Sequence, residues 1–287
     1  MRTVGIVGAG NMGSALVRGW LRAGASGLVV WDTFRPAVDK LLAAGAAPVG
    51  AAALGAAAVG ASPRSGASLS AASSLEKLAA AADLIVVVVK PKDAQEVLSG
   101  LGRVGRAEQT VVSAMAGLPL DWLRGALGPG PALFRVMPNL AVELGAGAVA
   151  VAVEGGAAPA AVEEVLALFR LLGLVEVIPE ELFDVVTAVS GSSPAFLALA
   201  VEGLEDGAVA AGLSRADARR VVRQAALETA RQLAEHSDSP AEVRQHLVST
   251  GQVAPGTFEF LEERKLRVAF RNAVAAAMER SRQMRKI

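Results

Sequence analysis

The stretch TVGIVGAGNMGSALVRGWLRAG, Thr3 to Gly24, decides the fold. Val4 to Val7 form a short apolar run that ends in glycine, and the residues after Gly10 carry apolar side chains at helical spacing, closed by Gly24 as a C-cap. Strand, turn and helix therefore follow one another directly. Gly8, Gly10 and Gly13 punctuate the turn with the spacing G-x-G-x-x-G. The first glycine permits the turn, the second lets backbone approach a pyrophosphate, and the third lets helix and strand pack closely. The helix N-terminus then offers free N–H donors to an anion. In that context Gly8, Ala9, Gly10, Asn11, Met12 and Gly13 are the expected phosphate-binding turn of a dinucleotide cofactor.

Outward from this turn, GLVVWD (27–32) reads as a second buried strand. ADLIVVVVK (82–90) is a later one, whose unbroken apolar run fits a parallel strand covered on both faces. QTVVSAM (109–115) and AVAVAVE (148–154) continue the series. Strands alternating with helical segments predict an α/β fold, a doubly wound Rossmann domain over residues 1–157. Asp32 ends the second strand about 20 residues after the turn, where a carboxylate accepts from the ribose 2′-OH of NAD. Arg35 is placed to pair instead with the 2′-phosphate of NADP. An Asp beside a 2′-phosphate is repelled unless it turns away, so NADP and NAD both stay open at this point. Residues 43–74 are nearly all Ala, Gly, Ser and Val and read as a low-complexity connection with at most one weak Ala-rich helix.

Beyond Pro159 the texture changes, and an all-helical domain is expected over residues 158–287. Ser214 with Asp217 resembles a capping box, and Ser239, Pro240 and Glu242 supply cap, first-turn proline and capping partner for a short helix through Leu247. A last helical segment runs from about Phe258, broken near Arg264. Twenty-eight basic residues balance 28 acidic ones, so no global field favours nucleic acid or an anionic membrane, and a small molecule is the expected partner. The absence of cysteine excludes disulfides, thiolate metal sites and a thiol nucleophile. His236 and His246 are too few for an imidazole cage, and no metal site is expected. Both read as solvated helix residues. No apolar stretch reads as long enough to span a bilayer, which predicts a soluble, cytoplasmic protein with no membrane partner.

Six segments in order, VGIVGAGNMGSAL, LIVVVVKPKD, VVSAMAGL, FRVMPNLAVELGAGAVA, LFDVVTAVSGSSPAFLALAVEGLEDGAVAAGL and RNAVAAAMERSRQM, resemble the pyrroline-5-carboxylate reductase family. That resemblance implies NAD(P)H-dependent reduction of a cyclic imine to proline in amino-acid biosynthesis, and a helical second domain that forms a homodimer or higher homo-oligomer. Val89, Lys90 and Pro91, and Ala114, Met115 and Ala116, then lie along the cofactor. Asn139, Ser192, Ser249 and Gly251 fall among the residues around the substrate, a cyclic imine carboxylate. In the family its carboxylate is held by backbone N–H groups and a threonine of a loop like TSPGGTT. No side chain is assigned the chemical step.

The matching loop here, HLVSTGQVAPGTFEFLE (246–262), departs from that pattern. Ser249 and Gly251 are kept, but Thr250 replaces the proline, Gln252 the second glycine, and Val253 and Ala254 the two threonines; Pro255 removes an N–H donor. Leu140 stands where a threonine is usual, and Ser193 and Phe196 where glycine and tyrosine are usual. One consequence is a divergent reductase with another imine as substrate. Another is a non-catalytic NADP-binding regulatory protein, as in the late-competence branch of the family. A β-hydroxyacid dehydrogenase is disfavoured, because GSSPAFLALAVEGLEDGAVAAG lacks the lysine that family places on this helix.

Overall fold

The computed structural model describes residues 2–44, 68–235, 239–250 and 255–284. The chain divides into two compact units, one of Met1–Gly191 with Glu279–Ile287, the other of Ser192–Met278. In the first unit the described strands are β1 (Val4–Val7), β2 (Leu28–Trp31), β3 (Leu69–Ala71), β4 (Leu84–Val87), β5 (Thr110–Ser113), β6 (Ala132–Pro138), β7 (Gly147–Val153) and β8 (Gly173–Val177). They form one sheet in the order β3-β2-β1-β4-β5-β6-β7-β8. β1 to β6 are mutually parallel, β7 is antiparallel to β6, and β8 runs parallel to β7.

Alternation along the strands explains why both faces are covered. Val4 and Ile6 of β1, and Leu84 and Val86 of β4, pack into one core with helices α1 (Asn11–Arg22), α2 (Arg35–Ala44) and α6 (Pro159–Arg170). Val7, Ile85 and Val87 enter the opposite core with α3 (Leu75–Ala81), α4 (Ala94–Val104) and α5 (Leu120–Leu127). Successive side chains point to opposite faces, so an unbroken apolar run is what a strand between two helical layers requires. Trp20 ties α1 to α6: it is fully buried, its Nε1 donates to Leu168 O at 3.0 Å, and its ring meets Phe169 edge-on at 5.5 Å.

Several expectations are corrected here. The first unit continues past the division expected at 157/158, because α6 and β8 belong to the same sheet layer system, and α7 (Phe183–Val186) follows in the same unit. Residues 158–287 are therefore not wholly helical. β8 escaped a periodicity reading because Leu174, Glu176 and Val177 are exposed, so no buried run marks it. β3 lies inside the low-complexity connection and α3 begins directly after it; residues 45–67 of the connection lie outside the described residues. AVAVAVE does form a strand, but an antiparallel one. A 3-10 turn at Leu140–Leu144, closed by Gly145 at φ 72°, returns the chain too quickly for a crossover helix.

The second unit holds α8 (Ser193–Ala210), α9 (Arg215–Glu235), α10 (Pro240–Ser249), α11 (Pro255–Glu263) and the part of α12 (Leu266–Met284) up to Met278. α8 and α9 are joined through Gly212 at φ 109° and pack on one another, with Glu205 held by Arg223 at 3.2 Å and Arg219 at 3.7 Å. Ser239 and Glu242 form the expected capping box of α10. The break expected near Arg264 is the turn between α11 and α12. The expectation about membrane-spanning length is also corrected: the helical run Glu180–Ala210 is long and apolar enough to cross a bilayer by length and composition.

Candidate functional site

The strand register brings the carboxyl ends of four strands into one row. Val7 pairs with Trp31 on one side and Val87 on the other, and Val87 pairs with Ser113. The residues that leave β1, β2, β4 and β5 therefore share one edge of the sheet. Chain order reverses between β1 and β4, the switch point where ligands of such sheets bind.

The glycine turn at this edge is built for backbone approach. Gly8 has φ 113°, and a Cβ there would lie 2.7 Å from Val88 O. A Cβ on Gly13 would lie 2.0 Å from Gly8 O, so α1 closes onto the turn only because that atom is missing. A Cβ on Gly10 would meet nothing within 4 Å. The first two glycines named are thus demanded by the protein's own backbone, whereas Gly10 leaves open space. Gly10 is also the N-cap of α1 and makes no side-chain cap hydrogen bond. The first-turn N–H groups of Asn11, Met12 and Gly13 have no intrahelical acceptor and form an anion cradle. Steric closure at Gly8 and Gly13, openness at Gly10 and free donors together fit a pyrophosphate.

Asp32, directly after β2, is fixed by two backbone donors. Its Oδ2 accepts from Ala9 N at 2.7 Å and its Oδ1 from Phe34 N at 2.7 Å. Arg35 points its Nε to Asp39 Oδ1 at 3.0 Å on the exposed surface of α2. After β4, Val88 N donates to Val7 O at 2.9 Å, and an exposed Lys90 caps the 3-10 turn Pro91–Asp93. After β5, Ala114 N donates to Val87 O at 2.8 Å; Met115 turns its side chain into the core, and Ala116 is exposed. The cofactor-binding residues expected from the sequence thus lie along a single edge, Met115 through its backbone alone.

Asn139 ends β6 beyond this row, and its amide is engaged by the protein itself. Its Nδ2 donates to Ser190 O at 3.2 Å and its Oδ1 accepts from Ala148 N at 3.3 Å. Ser190 lies in a π-helical turn, Thr187–Ser192, within the long helical run. In such a turn the i→i+4 pattern is interrupted, and Asn139 supplies a donor to a carbonyl there. Ser192 and Ser249 fall in the second unit, where Ser249 Oγ donates to His246 O at 2.9 Å inside α10. Gly251, with Gln252, Val253 and Ala254, lies outside the described residues, as does His236.

Two supports of the site carry no local sequence signal. Arg18 of α1 pairs with Glu143 of the 3-10 turn through Nε and Nη2, each at 2.8 Å, and Gly19 admits Val142 O, which a Cβ would meet at 2.3 Å. Phe34, whose backbone N–H bonds Asp32, leaves its side chain exposed. At the opposite edge of the sheet an open cavity is lined by Thr110, Arg124, Ala132 and Glu154. There Arg124 is taken up by Glu154 at 2.7 Å, whose carboxylate raises the guanidinium pKa, and the cavity lies away from the glycine turn.

A parallel sheet with a switch point, a turn that requires glycine and an acidic residue after the second strand define a dinucleotide-binding domain of the Rossmann class. A family model described as NADP oxidoreductase, coenzyme F420-dependent, matches residues 3–117, and one described as pyrroline-5-carboxylate reductase dimerisation matches residues 180–284. The chain is 32% identical to a pyrroline-5-carboxylate reductase of Methanosarcina acetivorans over 286 residues, covering 99% of this chain and 98% of that one. It is 32% identical to the Escherichia coli pyrroline-5-carboxylate reductase, covering 99% of each. The crystal structure of Plasmodium falciparum pyrroline carboxylate reductase with NADP bound superposes with a TM-score of 0.78 at 25% identity, covering 99% of this chain and 98% of that one. The chain belongs to the pyrroline-5-carboxylate reductase family.

Proposed function

We propose that this protein reduces 1-pyrroline-5-carboxylate to proline, by hydride transfer from NAD(P)H to the carbon of the ring C=N bond. Full-length similarity to the reductases carries the reading, and the sheet edge where only glycine fits at Gly8 and Gly13 supports it. NADP is the dinucleotide in the Plasmodium structure, and here NADPH or NADH would supply the hydride. The turn from Gly8 to Gly13 receives the pyrophosphate. The backbone after β4 and β5, at Val89–Pro91 and Ala114–Ala116, orients the nicotinamide end. A protonated imine is already electrophilic, so positioning and electrostatics carry most of the rate and no strong acid is demanded of the chain.

Ser192, Ser249 and Gly251 are proposed to face the substrate. Asn139 contributes by holding the Ser190 carbonyl and the start of β7. The exposed apolar side chains of α8 support a homodimer, and a soluble, cytoplasmic enzyme of proline biosynthesis follows from the same reading. Purified protein should oxidise NADPH or NADH only when the cyclic imine is added, with proline as the chromatographed product. Cofactor binding without imine-dependent turnover would sink this reading. It would favour a non-catalytic dinucleotide-binding protein, the alternative suggested by Gln252 and Ala254 in the substrate loop. Restoring Gln252→Gly with Ala254→Thr separates the two, since a weakened reductase gains proline formation and a non-catalytic protein does not.

A further inference from the structure

NADH and NADPH differ only by a phosphate on the adenosine ribose, so their discrimination is a question about the end of β2. Asp32 is the charged group there, and its orientation is set chiefly by backbone, with the Thr33 hydroxyl adding a long contact to Oδ1 at 3.5 Å. One carboxylate oxygen takes the Ala9 N–H of the glycine turn and the other the Phe34 N–H of the next turn, each at 2.7 Å. A rotation of the carboxylate away from the ribose position would break both bonds. Each oxygen keeps further lone pairs, so the group is a pre-placed acceptor for ribose hydroxyls. Toward a 2′-phosphate the same group is a fixed like charge.

The cation that would offset this repulsion is Arg35, and it is shared. Its Nε pairs with Asp39 Oδ1 at 3.0 Å one helical turn along α2. Both side chains are more than half exposed, at 54% and 59%, so the pair is weak and Arg35 can leave it. What its departure cannot change is the anchored charge of Asp32, which sits between the glycine turn and Phe34. Acceptors suited to a diol are fixed in place, while the donor suited to a phosphate is mobile and already paired.

We infer that this chain favours NADH over NADPH, with Asp32 as the residue that sets the preference, NADPH being the weaker of two usable cofactors. The inference rests on the reading that the glycine turn holds a nicotinamide dinucleotide. Calorimetric titration of the full-length protein, without imine, tests it with four ligands: NADH, NADPH, 5′-AMP and adenosine 2′,5′-bisphosphate. NADH should bind roughly tenfold or more tightly than NADPH, and 5′-AMP more tightly than the bisphosphate. Asp32→Asn removes the charge while keeping one acceptor, and should shrink the NADH:NADPH ratio at least about fivefold, chiefly by tightening NADPH.

Wild-type protein that binds NADPH as tightly as NADH overturns the inference. An Asp32→Asn protein that keeps the melting temperature and the ratio of the wild type overturns the role of Asp32. If that variant does not fold, the wild-type ratios decide alone. Protein that binds neither dinucleotide overturns the proposed function and the preference together, whereas tight binding with the preference reversed overturns only the preference.

Discussion

The sheet edge that carries the glycine turn and the long helix α8 are built on opposite principles. At the edge, apolar side chains are spent inside the chain: Val7, Val87 and Val112 are fully buried, and the backbone comes so close that Gly8 and Gly13 admit no Cβ. On α8, Leu197, Leu199 and Leu204 are 64%, 69% and 63% exposed in the single chain, while Glu205 beside them is buried under two arginines. A helix that shows leucine to water and hides its charge has the pattern of an interface rather than of a surface. One region is complete in one copy of the chain, and the other, on the proposed reading, is completed by a second copy.

The most damaging way to break the first region is Gly13→Ala. The new Cβ would fall 2.0 Å from Gly8 O, a backbone atom that cannot yield without opening the turn. Affinity for NADPH and NADH should drop together by more than about 100-fold, read by calorimetry, while circular dichroism keeps its α/β character. Gly10→Ala meets nothing within 4 Å of protein. Any loss of dinucleotide affinity there, with an unchanged melting temperature, reports the approach of the ligand itself.

Leu199→Glu breaks the second region. An unpaired carboxylate buried in an apolar interface costs about 3 kcal/mol, or roughly 100-fold in the dimer dissociation constant. Light scattering at micromolar concentration should show the mass halved, and NADPH affinity per chain should stay near that of the wild type. A dimer as tight as the wild type would mean that α8 is covered by something other than a second copy.

Legibility followed the same division. β1, the glycine turn and α1 could be read because all their determinants lie within Thr3–Gly24 and each acts on its neighbours. β6 could not be read as easily, since Arg135 interrupts its apolar run. Its guanidinium is buried at 4% exposure against the Phe183 ring and bonds Glu180 at 2.8 Å, partners 48 and 45 positions away. The Arg18–Glu143 clamp joins residues 125 positions apart, and the two backbone donors of Asp32 come from turns 23 positions before it and two after it. Sequence indicated the glycines of the turn, because their spacing is local. It left the cofactor preference open, because which way a carboxylate turns is set by which backbone N–H groups the fold brings to it.

A smaller effect probes how far the first unit depends on such distant partners. Glu180 Oε1 accepts from Arg135 Nη1 and from Leu120 N, the first residue of α5, both at 2.8 Å. One carboxylate thus serves a buried cation and a helix N-terminus at once. Glu180→Ala should lower stability by about 2–3 kcal/mol, measured by urea denaturation at fixed protein concentration, and Glu180→Gln should recover part of it by keeping an acceptor. Equal losses in the two variants would show that the charge, rather than the acceptor, matters.

The smallest expected effect lies in the second unit and has the opposite sign. Lys265 sits between α11 and α12 with φ 56°, the non-glycine residue with positive φ among those described. Its N–H bonds Glu262 O at 2.8 Å and its carbonyl accepts from Ala269 N at 3.0 Å, so the left-handed turn both ends one helix and begins the next. A Cβ in that conformation costs about 1 kcal/mol. Glycine removes the penalty but gives some of it back through the freer unfolded chain. Lys265→Gly should therefore stabilise by about 0.5 kcal/mol and raise the melting temperature by about 1–2 °C at fixed concentration. Lys265→Ala retains the Cβ and should gain nothing. If alanine stabilises as much as glycine, the strain is not in the backbone, and the lysine side chain itself is what the turn tolerates poorly.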